Sequence, residues 1–260
     1  RRPHAWRDHP LIAARRVMFL GSPMHLLTME ETLSLAVDAM TEHKPLHHTV
    51  VNVAKLVTMQ TDDELRRDVA EADLINIDGM GVAWGARLFG ISVPERVAGI
   101  DIMERLFALC AQSGFHPFLL GAEQHVLESV CRRLAAEFPS LEIAGCQDGY
   151  FAPEFEADIV KTINATGADC LFVAMPTPRK ERFLHRHRDA LDVSFVMGVG
   201  GSFDVYGGKV KRAPQWMQRS GLEWAFRIWQ EPRRLWRRYY TTNSAYVRLL
   251  WAHRRQRAGR

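Results

Sequence analysis

Short apolar runs recur along the chain and alternate with longer amphipathic segments. The runs are rich in β-branched residues and have the length of buried strands; they are 17–20, 48–53, 73–77, 116–120, 141–146, 170–175 and 193–200. Helical periodicity is found in the segments 28–40, 61–72, 100–112 and 122–138. Strands that alternate with amphipathic helices are typical of βαβ units. The pattern therefore predicts an α/β fold with a Rossmann-like, mostly parallel sheet and helices on both faces.

The ends of the predicted strands carry small and polar residues. In parallel sheets, ligands bind beyond the carboxyl ends of the strands. The candidate substrate-binding residues at these ends are Asn52, Gly79, Gly121, Asp148, Lys180, Gly200 and Gly201. Glycine and aspartate also suit tight turns that bind nothing, so composition alone leaves both interpretations open.

Asp78 stands between the apolar run 73–77 and a glycine pair, Gly79 and Gly81. One interpretation is an N-cap, because a helix is expected over the following residues and aspartate is a favoured capping residue. The other is a general base, since a carboxylate among apolar neighbours can be tuned to accept a proton. The two roles are compatible, and the glycines leave room for a substrate to approach.

Residues 198–214 follow the last predicted strand and contain five glycines. The segment lacks the spacing of a dinucleotide-binding fingerprint and the GKS or GKT of a Walker A loop. Its backbone N–H groups are suited to phosphate binding, and a flexible connection is the alternative. Arg179 and Lys180, after the strand 170–175, are further candidates for contact with an anion.

The last fifth of the chain differs in charge from the rest. Residues 211–260 contain thirteen Lys or Arg against two Asp or Glu, so they carry +11 of a whole-chain charge of +4, and the remainder carries −7. Five of the seven tryptophans also lie there. This shift predicts a catalytic core over 1–210 and a basic helical C-terminal appendage over 211–260.

Three arginines of the appendage, Arg227, Arg234 and Arg237, have spacings that place them on one side of a helix, and guanidinium groups suit a diphosphate. Pro232 is expected in the first turn of a new helix. The interleaved aromatic residues suit a membrane interface, while a solvated basic helix is the plain alternative. Nucleic-acid binding is the rival function of another class, but it leaves the acidic strand ends unexplained.

Other classes of protein are excluded by composition. No run of 18 apolar residues exists, so no bilayer-spanning segment is expected. The four cysteines form no CxxC pair, which argues against a metal site, and without an export signal the reducing cytoplasm is the expected compartment. The first residue is arginine, so we expect the natural chain to begin earlier.

Seven motifs in order resemble the WecG/TagA/CpsF family of bacterial glycosyltransferases. They lie between residues 48 and 240 and read ADLINIDGMGVAWGARLFG, PERVAGIDIMERL, FLLGA, AGCQDGYF, AMPTPRKE, GVGGSFDVYGGKVKRAPQWMQRSGLEW and RIWQEPRRLWRRY. The resemblance implies inverting transfer of a sugar from a UDP-sugar to an undecaprenyl-diphosphate-linked sugar, with no cofactor and no obligatory metal. It also implies Asp78 as the catalytic base, a substrate-binding Asn52, and Arg227, Arg234 and Arg237 as diphosphate ligands.

The resemblance further implies a peripheral protein on the cytoplasmic face of the inner membrane, docked through its appendage and without a nucleic-acid partner; a homo-oligomer is also compatible with it. Lys180 stands where many members have glutamine, and Val50 where many have threonine. The amino-acid sequence of the motifs is most similar to the exopolysaccharide branch of the family, which includes a xanthan-assembly glucosyltransferase. We therefore expect UDP-glucose as the donor, with UDP-N-acetylmannosamine as the alternative.

Overall fold

The computed structural model of the chain describes residues 6–258, except the side chains of Arg219, Arg234, Arg257 and Ala258. The strands are β1 Arg16–Phe19, β2 Ser22–His25, β3 Leu46–Val51, β4 Leu74–Ile77, β5 Pro117–Gly121, β6 Gly145–Gln147, β7 Cys170–Ala174 and β8 Phe195–Gly198. The helices of the first half are α1 Pro10–Ala14, α2 Met29–Thr41, α3 Val53–Thr58, α4 Asp63–Ala70, α5 Met80–Arg87 and α6 Gly99–Ser113. Those of the second half are α7 Gln124–Glu137, α8 Glu156–Ala165, α9 Arg179–Arg186, α10 Ser202–Tyr206, α11 Gln215–Arg219, α12 Glu223–Gln230 and α13 Pro232–Ala258.

Six strands form one parallel sheet in the order β4-β3-β8-β7-β5-β6. Every residue of β4, β5, β7 and β8 is buried, which explains why these strands read as continuous apolar runs. Successive side chains of one strand enter different core clusters: Leu119 packs with α2, α6 and α7, whereas Phe118 and Leu120 pack with α8 and α9. Helices therefore cover both faces, and the predicted fold class is confirmed.

Local sequence signals position the helices as expected. Thr28 is the N-cap of α2 and forms a complete capping box with Glu31: the Glu31 N–H donates to Thr28 Oγ1 at 3.2 Å, and the Thr28 N–H donates to Glu31 Oε2 at 2.8 Å. These two bonds satisfy donors that the first turn would otherwise leave unpaired.

Two of the predicted strands differ from the prediction. Residues 16–19 do not join the large sheet; they form an antiparallel hairpin with β2, which the sequence did not reveal because Ser22–His25 contains proline and polar residues. The run 141–146 contributes only Gly145 and Cys146 to β6. Residues 141–144 lie before the strand, and their apolar side chains Leu141 and Ile143 pack on the core.

The C-terminal helices lie against the core. Tyr246 of α13 is buried and donates from its hydroxyl to the Gly81 carbonyl of α5 at 3.1 Å, and Leu249 and Leu250 pack on the apolar cluster that α3, α4 and α5 share. The division into a core over 1–210 and an appendage over 211–260 stays a prediction. No helix within residues 6–258 is long and apolar enough to cross a bilayer.

Two histidines of the strands are buried, His25 in β2 and His48 in β3. His25 Nδ1 accepts a hydrogen bond from the Ile75 N–H at 2.9 Å, which joins β2 to β4. His48 Nε2 lies 2.8 Å from Asn76 Oδ1 and donates to it. Burial lowers the pKa of each histidine to about 4, so both rings are neutral at neutral pH.

We predict that acid destabilises the fold through these histidines. Because their folded pKa values lie below the unfolded value near 6.5, the unfolded chain binds more protons, and stability falls as pH drops from about 6.5 to about 4. The loss is at most about 3 kcal/mol for each ring. Urea unfolding across this range should show the slope, and His48→Gln should remove about half of it while His125→Gln, on the exposed side of α7, leaves it unchanged. An equal slope in His48→Gln would contradict the assignment.

Candidate active site

The candidate residues converge at the carboxyl edge of the sheet. β4, β3 and β8 are neighbours, so their ends bring Asp78, Asn52 and the loop of Gly200 and Gly201 side by side. The Asp78 N–H donates to the Val51 carbonyl at 2.9 Å, which extends the pairing of β4 with β3 by one residue. The edge predicted from sequence is therefore a real juxtaposition of strand ends.

Asp78 does not cap α5. The N-cap is Gly79, which has φ +99° and makes no side-chain cap, so the capping interpretation of Asp78 is wrong. The positive φ of Gly79 turns the chain between Asp78 and the helix, a conformation that glycine adopts without strain. The carboxylate of Asp78 instead accepts a hydrogen bond from the Gly99 N–H at the start of α6.

The charges around Asp78 come from two parts of the chain. Burial raises the pKa of Asp78 above its ordinary value, Arg96 and Arg227 oppose that rise, and Glu223 adds to it. Arg96 Nη1 donates to Glu223 Oε2 at 3.2 Å, and Arg227 lies 3.7 Å from the other oxygen of the same carboxylate. A half-buried carboxylate with a raised pKa is a better proton acceptor than a solvated one, which fits a general base.

Asn52 serves the start of α3. Its Oδ1 accepts a hydrogen bond from the Lys55 N–H at 2.9 Å, so Asn52 is the N-cap of that helix. Among the described residues, its side-chain NH₂ group has no hydrogen-bond partner, and the register of β3 with β4 puts Asn52 beside Asp78. Capping fixes the side chain in place and leaves its two donors for a ligand.

Lys180 is buried at the start of α9, below the loop that follows β8. Its Nζ lies 2.7 Å from Glu181 Oε1, and Lys55 Nζ lies 2.9 Å from the same oxygen. A Cβ at Gly198 would stand 2.6 Å from Lys180 Cε, so the glycine makes room for the lysine stem. Sequence reasoning singled out Lys180 but missed Lys55 and Glu181, because helix positions gave no sign that they meet.

The glycines at the carboxyl edge of the sheet have different structural roles. Gly121, at φ +121°, packs so closely on β7 that a Cβ would stand 2.5 Å from the Ala174 carbonyl. Gly200 has φ +54°, and the nearest atom to a Cβ there is Lys180 Nζ at 4.0 Å; Gly201 is the N-cap of α10. Gly121 is thus held by packing, whereas Gly200 lies beside a buried cation.

Asp148 shapes the turn after β6. Its Oδ1 accepts from the Tyr150 N–H at 2.8 Å and its Oδ2 accepts from Gln147 Nε2 at 3.0 Å. This is the bonding of an Asx turn, so both carboxylate oxygens already have donors. Tyr150, which the turn presents to solvent, is largely exposed.

The appendage meets the core next to Asp78. Glu223 of α12 binds Arg96, and Arg212 forms an ion pair with Asp101 of α6. A Cβ at Gly221 would stand 2.9 Å from Met80 and from Trp84 of α5. Arg96, which the sequence analysis did not select although it lies in a quoted motif, is the residue that connects α12 to the site.

The three appendage arginines are separated by a helix break. Arg227 lies in α12, while α13 begins at Pro232, as the proline predicted, and carries Arg237 as an exposed side chain. The three positions therefore do not share a single continuous helix face. The side chain of Arg234 lies outside the described residues. The charge of Arg227 acts on Asp78.

Comparison with known proteins identifies the family. The sequence matches the glycosyl transferase WecG/TagA/CpsF family over residues 17–260. The chain belongs to this family. Within the described residues, no group of three or more His, Cys, Asp or Glu side chains is arranged to hold a metal ion.

A curated relative shares much of the chain. The N-acetylglucosaminyldiphosphoundecaprenol N-acetyl-beta-D-mannosaminyltransferase of Bacillus spizizenii is 37% identical over 190 residues, which cover 73% of this chain and 72% of the relative. The family and this relative together show that the chain is a glycosyltransferase, as the motifs predicted.

We predict opposite effects of two charges on the pKa of Asp78. Arg96→Gln should raise it further, because a favourable charge is lost, and Glu223→Gln should lower it, because a repulsive charge is lost. Carbon-13 NMR titration of the aspartate carboxylates measures both shifts. Glu30→Gln, on the exposed start of α2, serves as the control. Shifts of the same sign in the two variants would refute this electrostatic picture.

Proposed function

We propose that this glycosyltransferase transfers a sugar from a UDP-sugar to a sugar linked through a diphosphate to undecaprenol, with inversion and without an obligatory metal. The observation that carries the proposal is Asp78, a carboxylate of raised pKa at the carboxyl edge of the sheet, with Arg96 and Arg227 beside it. One group thus accepts a proton while neighbouring cations favour a departing anion.

The proposed donor is UDP-N-acetylmannosamine. The relative in Bacillus spizizenii is named as an enzyme that transfers N-acetylmannosamine to N-acetylglucosaminyldiphosphoundecaprenol. It is 37% identical over 73% of this chain. This supports the donor that the sequence analysis gave as the alternative. The competing hypothesis is UDP-glucose as the donor of an exopolysaccharide enzyme, which the motif sequences favoured.

The reaction is a single displacement. The acceptor hydroxyl attacks the anomeric carbon, its proton passes to Asp78, and the bond from that carbon to the diphosphate oxygen breaks as UDP leaves. Attack from the side opposite the leaving group inverts the anomeric configuration. Asn52 lies next to Asp78 and has an NH₂ group to orient a substrate hydroxyl. Arg227 of α12 and Arg237 of α13 are the proposed ligands of diphosphate oxygens, because guanidinium groups suit such oxygens.

A donor screen tests the proposal. With an undecaprenyl-diphosphate-linked N-acetylglucosamine acceptor, UDP release should be faster from UDP-N-acetylmannosamine than from UDP-glucose or UDP-N-acetylglucosamine. Asp78→Asn should reduce turnover about 10²–10⁴-fold, the usual contribution of a general base, while UDP binding persists. Asp63→Asn, on the exposed start of α4, is the matched control. Near-normal turnover in Asp78→Asn would remove Asp78 from the role of base.

We also propose that α13 places the protein on the cytoplasmic surface of the inner membrane. Trp236, Tyr240, Val247 and Trp251 are exposed and spaced by four, seven and four residues, so they share one face of the helix. A different face of the helix holds the buried Tyr246. Aromatic side chains beside basic ones suit the headgroup region of an anionic bilayer.

Vesicle flotation measures this attachment. Replacing Trp236 and Trp251 together by Ser should lower binding to phosphatidylglycerol-rich vesicles about tenfold, because two large aromatic surfaces no longer leave water. Met18→Ser, at an exposed apolar position in β1, should leave binding unchanged. A gel shift with DNA provides the test of the rival class, and binding to DNA in place of vesicles would favour a nucleic-acid partner.

A further inference from the structure

Two lysines from different parts of the chain meet at one buried carboxylate. Glu181 Oε1 lies 2.9 Å from Lys55 Nζ and 2.7 Å from Lys180 Nζ, and it also accepts from the Thr177 hydroxyl at 3.2 Å. All three charged side chains are more than nine-tenths buried. Burial opposes the ionisation of Glu181, but the two lysines hold its pKa well below the usual range.

Burial lowers the pKa of Lys55, the charge of Glu181 opposes that fall, and Lys180 adds to it. The hydrogen bonds of Lys55 fit the charged form and leave it no donor to spare. Its Nζ has three acceptors: Glu181 Oε1 at 2.9 Å, the Val50 carbonyl at 2.6 Å and Thr49 Oγ1 at 3.2 Å. A neutral amine has two N–H donors and an ammonium has three, so three acceptors match the charged form. Lys55 therefore connects the end of β3 to Glu181, and it is not available to a ligand.

Lys180 differs from Lys55 in having one donor left. Its Nζ contacts Glu181 Oε1 and donates to Thr177 Oγ1 at 3.2 Å, and no third acceptor is recorded among the described residues. The stem of Lys180 passes under Gly198, and Nζ lies 4.0 Å from the position that a Cβ would take at Gly200. The remaining N–H is thus placed at the glycine-rich loop of the carboxyl edge.

The charges of this cluster do not balance. Two ammonium groups share one carboxylate, which leaves one positive charge in a buried place. The charge of Asp78 also acts on Lys55, and Arg96 acts on Asp78 in turn, whereas the ion pair found for Lys180 among the described residues is the one with Glu181. A buried charge without a partner is unfavourable, so such a site gains free energy when an anion binds.

We propose that Lys55, Glu181 and Lys180 form a preformed anion subsite for the diphosphate of the nucleoside-diphosphate donor, with Lys180 as the ligand and Lys55 as a positioning residue. The inference rests on the proposed function. It adds Lys55 and Lys180 to the arginines that are proposed to bind diphosphate. Lys180 contacts the donor diphosphate from the side of the glycine loop, in addition to the arginines of α12 and α13.

The chemistry of the subsite favours a diphosphate over a sugar hydroxyl. A neutral hydroxyl accepts a hydrogen bond but leaves the excess charge uncompensated, whereas a diphosphate satisfies both the N–H and the charge. Lys55 acts through Glu181: because it takes up part of the negative charge of that carboxylate, Lys180 is not neutralised by its own partner. Removal of Lys55 would therefore weaken anion binding although Lys55 touches no ligand.

Calorimetric titration of the full chain with UDP, uridine and inorganic pyrophosphate tests the subsite without turnover. Lys180→Gln should weaken binding of UDP and pyrophosphate about ten- to hundredfold and leave uridine binding unchanged, because one charge-assisted hydrogen bond to the diphosphate is lost. Lys55→Met should weaken UDP binding in the same selective way with Lys180 present, and Lys55→Arg should restore much of it. Lys161→Gln, an exposed lysine of α8, is the control.

The outcomes separate this inference from the proposed function. If Lys180→Gln binds UDP like the wild type, or loses uridine as strongly as UDP, the subsite assignment is wrong even when the wild type transfers sugar. If UDP binding depends on Lys180 as expected but no UDP-sugar is turned over, the subsite stands and the proposed reaction falls. Lys180→Gln leaves the Lys55–Glu181 pair intact, so it decides the question even where Lys55→Met unfolds.

Discussion

Both faces of the parallel sheet are covered by helices, and this constraint determines where chemistry can take place. Backbone groups within the sheet are paired, and the side chains of its central strands are buried. Polar groups can therefore meet a substrate only where strands end and the chain turns into a helix. Asp78, Asn52 and the glycine loop after β8 lie at three neighbouring strand ends, so the order of the strands itself assembles the site.

The site has two layers of charge that come from distant parts of the chain. Beneath the glycine loop, Lys55 and Lys180 share Glu181 within the core. Above the edge, Glu223 of α12 binds Arg96, and Arg227 lies beside it. The lower layer is fixed by packing, because burial excludes water from it. The upper layer is partly exposed, so its ion pairs are weaker and can exchange for substrate oxygens.

Much of the fold could be predicted from the sequence, since strands buried on both faces give apolar runs and amphipathic helices separate them. The hairpin partner Ser22–His25 could not be predicted, because its burial comes from contacts with β4 rather than from its own composition. The juxtaposition of Asp78 with Asn52 was predicted from strand ends. The cap of α5 was not, because Asp78 and Gly79 are both acceptable N-caps and only the backbone turn at Gly79 decides between them. Lys55 and Glu181 were missed because 126 positions separate them in the numbering, and no periodicity reports a contact of that range.

Helix α13 has 27 residues, which corresponds to a length of about 40 Å. One side of it is packed on α3 and α5 through Tyr246 and its neighbours, and α5 follows directly after Asp78. The exposed aromatic side and the carboxylate therefore belong to one packed body. On a bilayer, such a body would hold the carboxylate at a set height above the lipid headgroups. The enzyme would then select acceptors by the distance between their sugar and the membrane surface, as well as by the identity of that sugar.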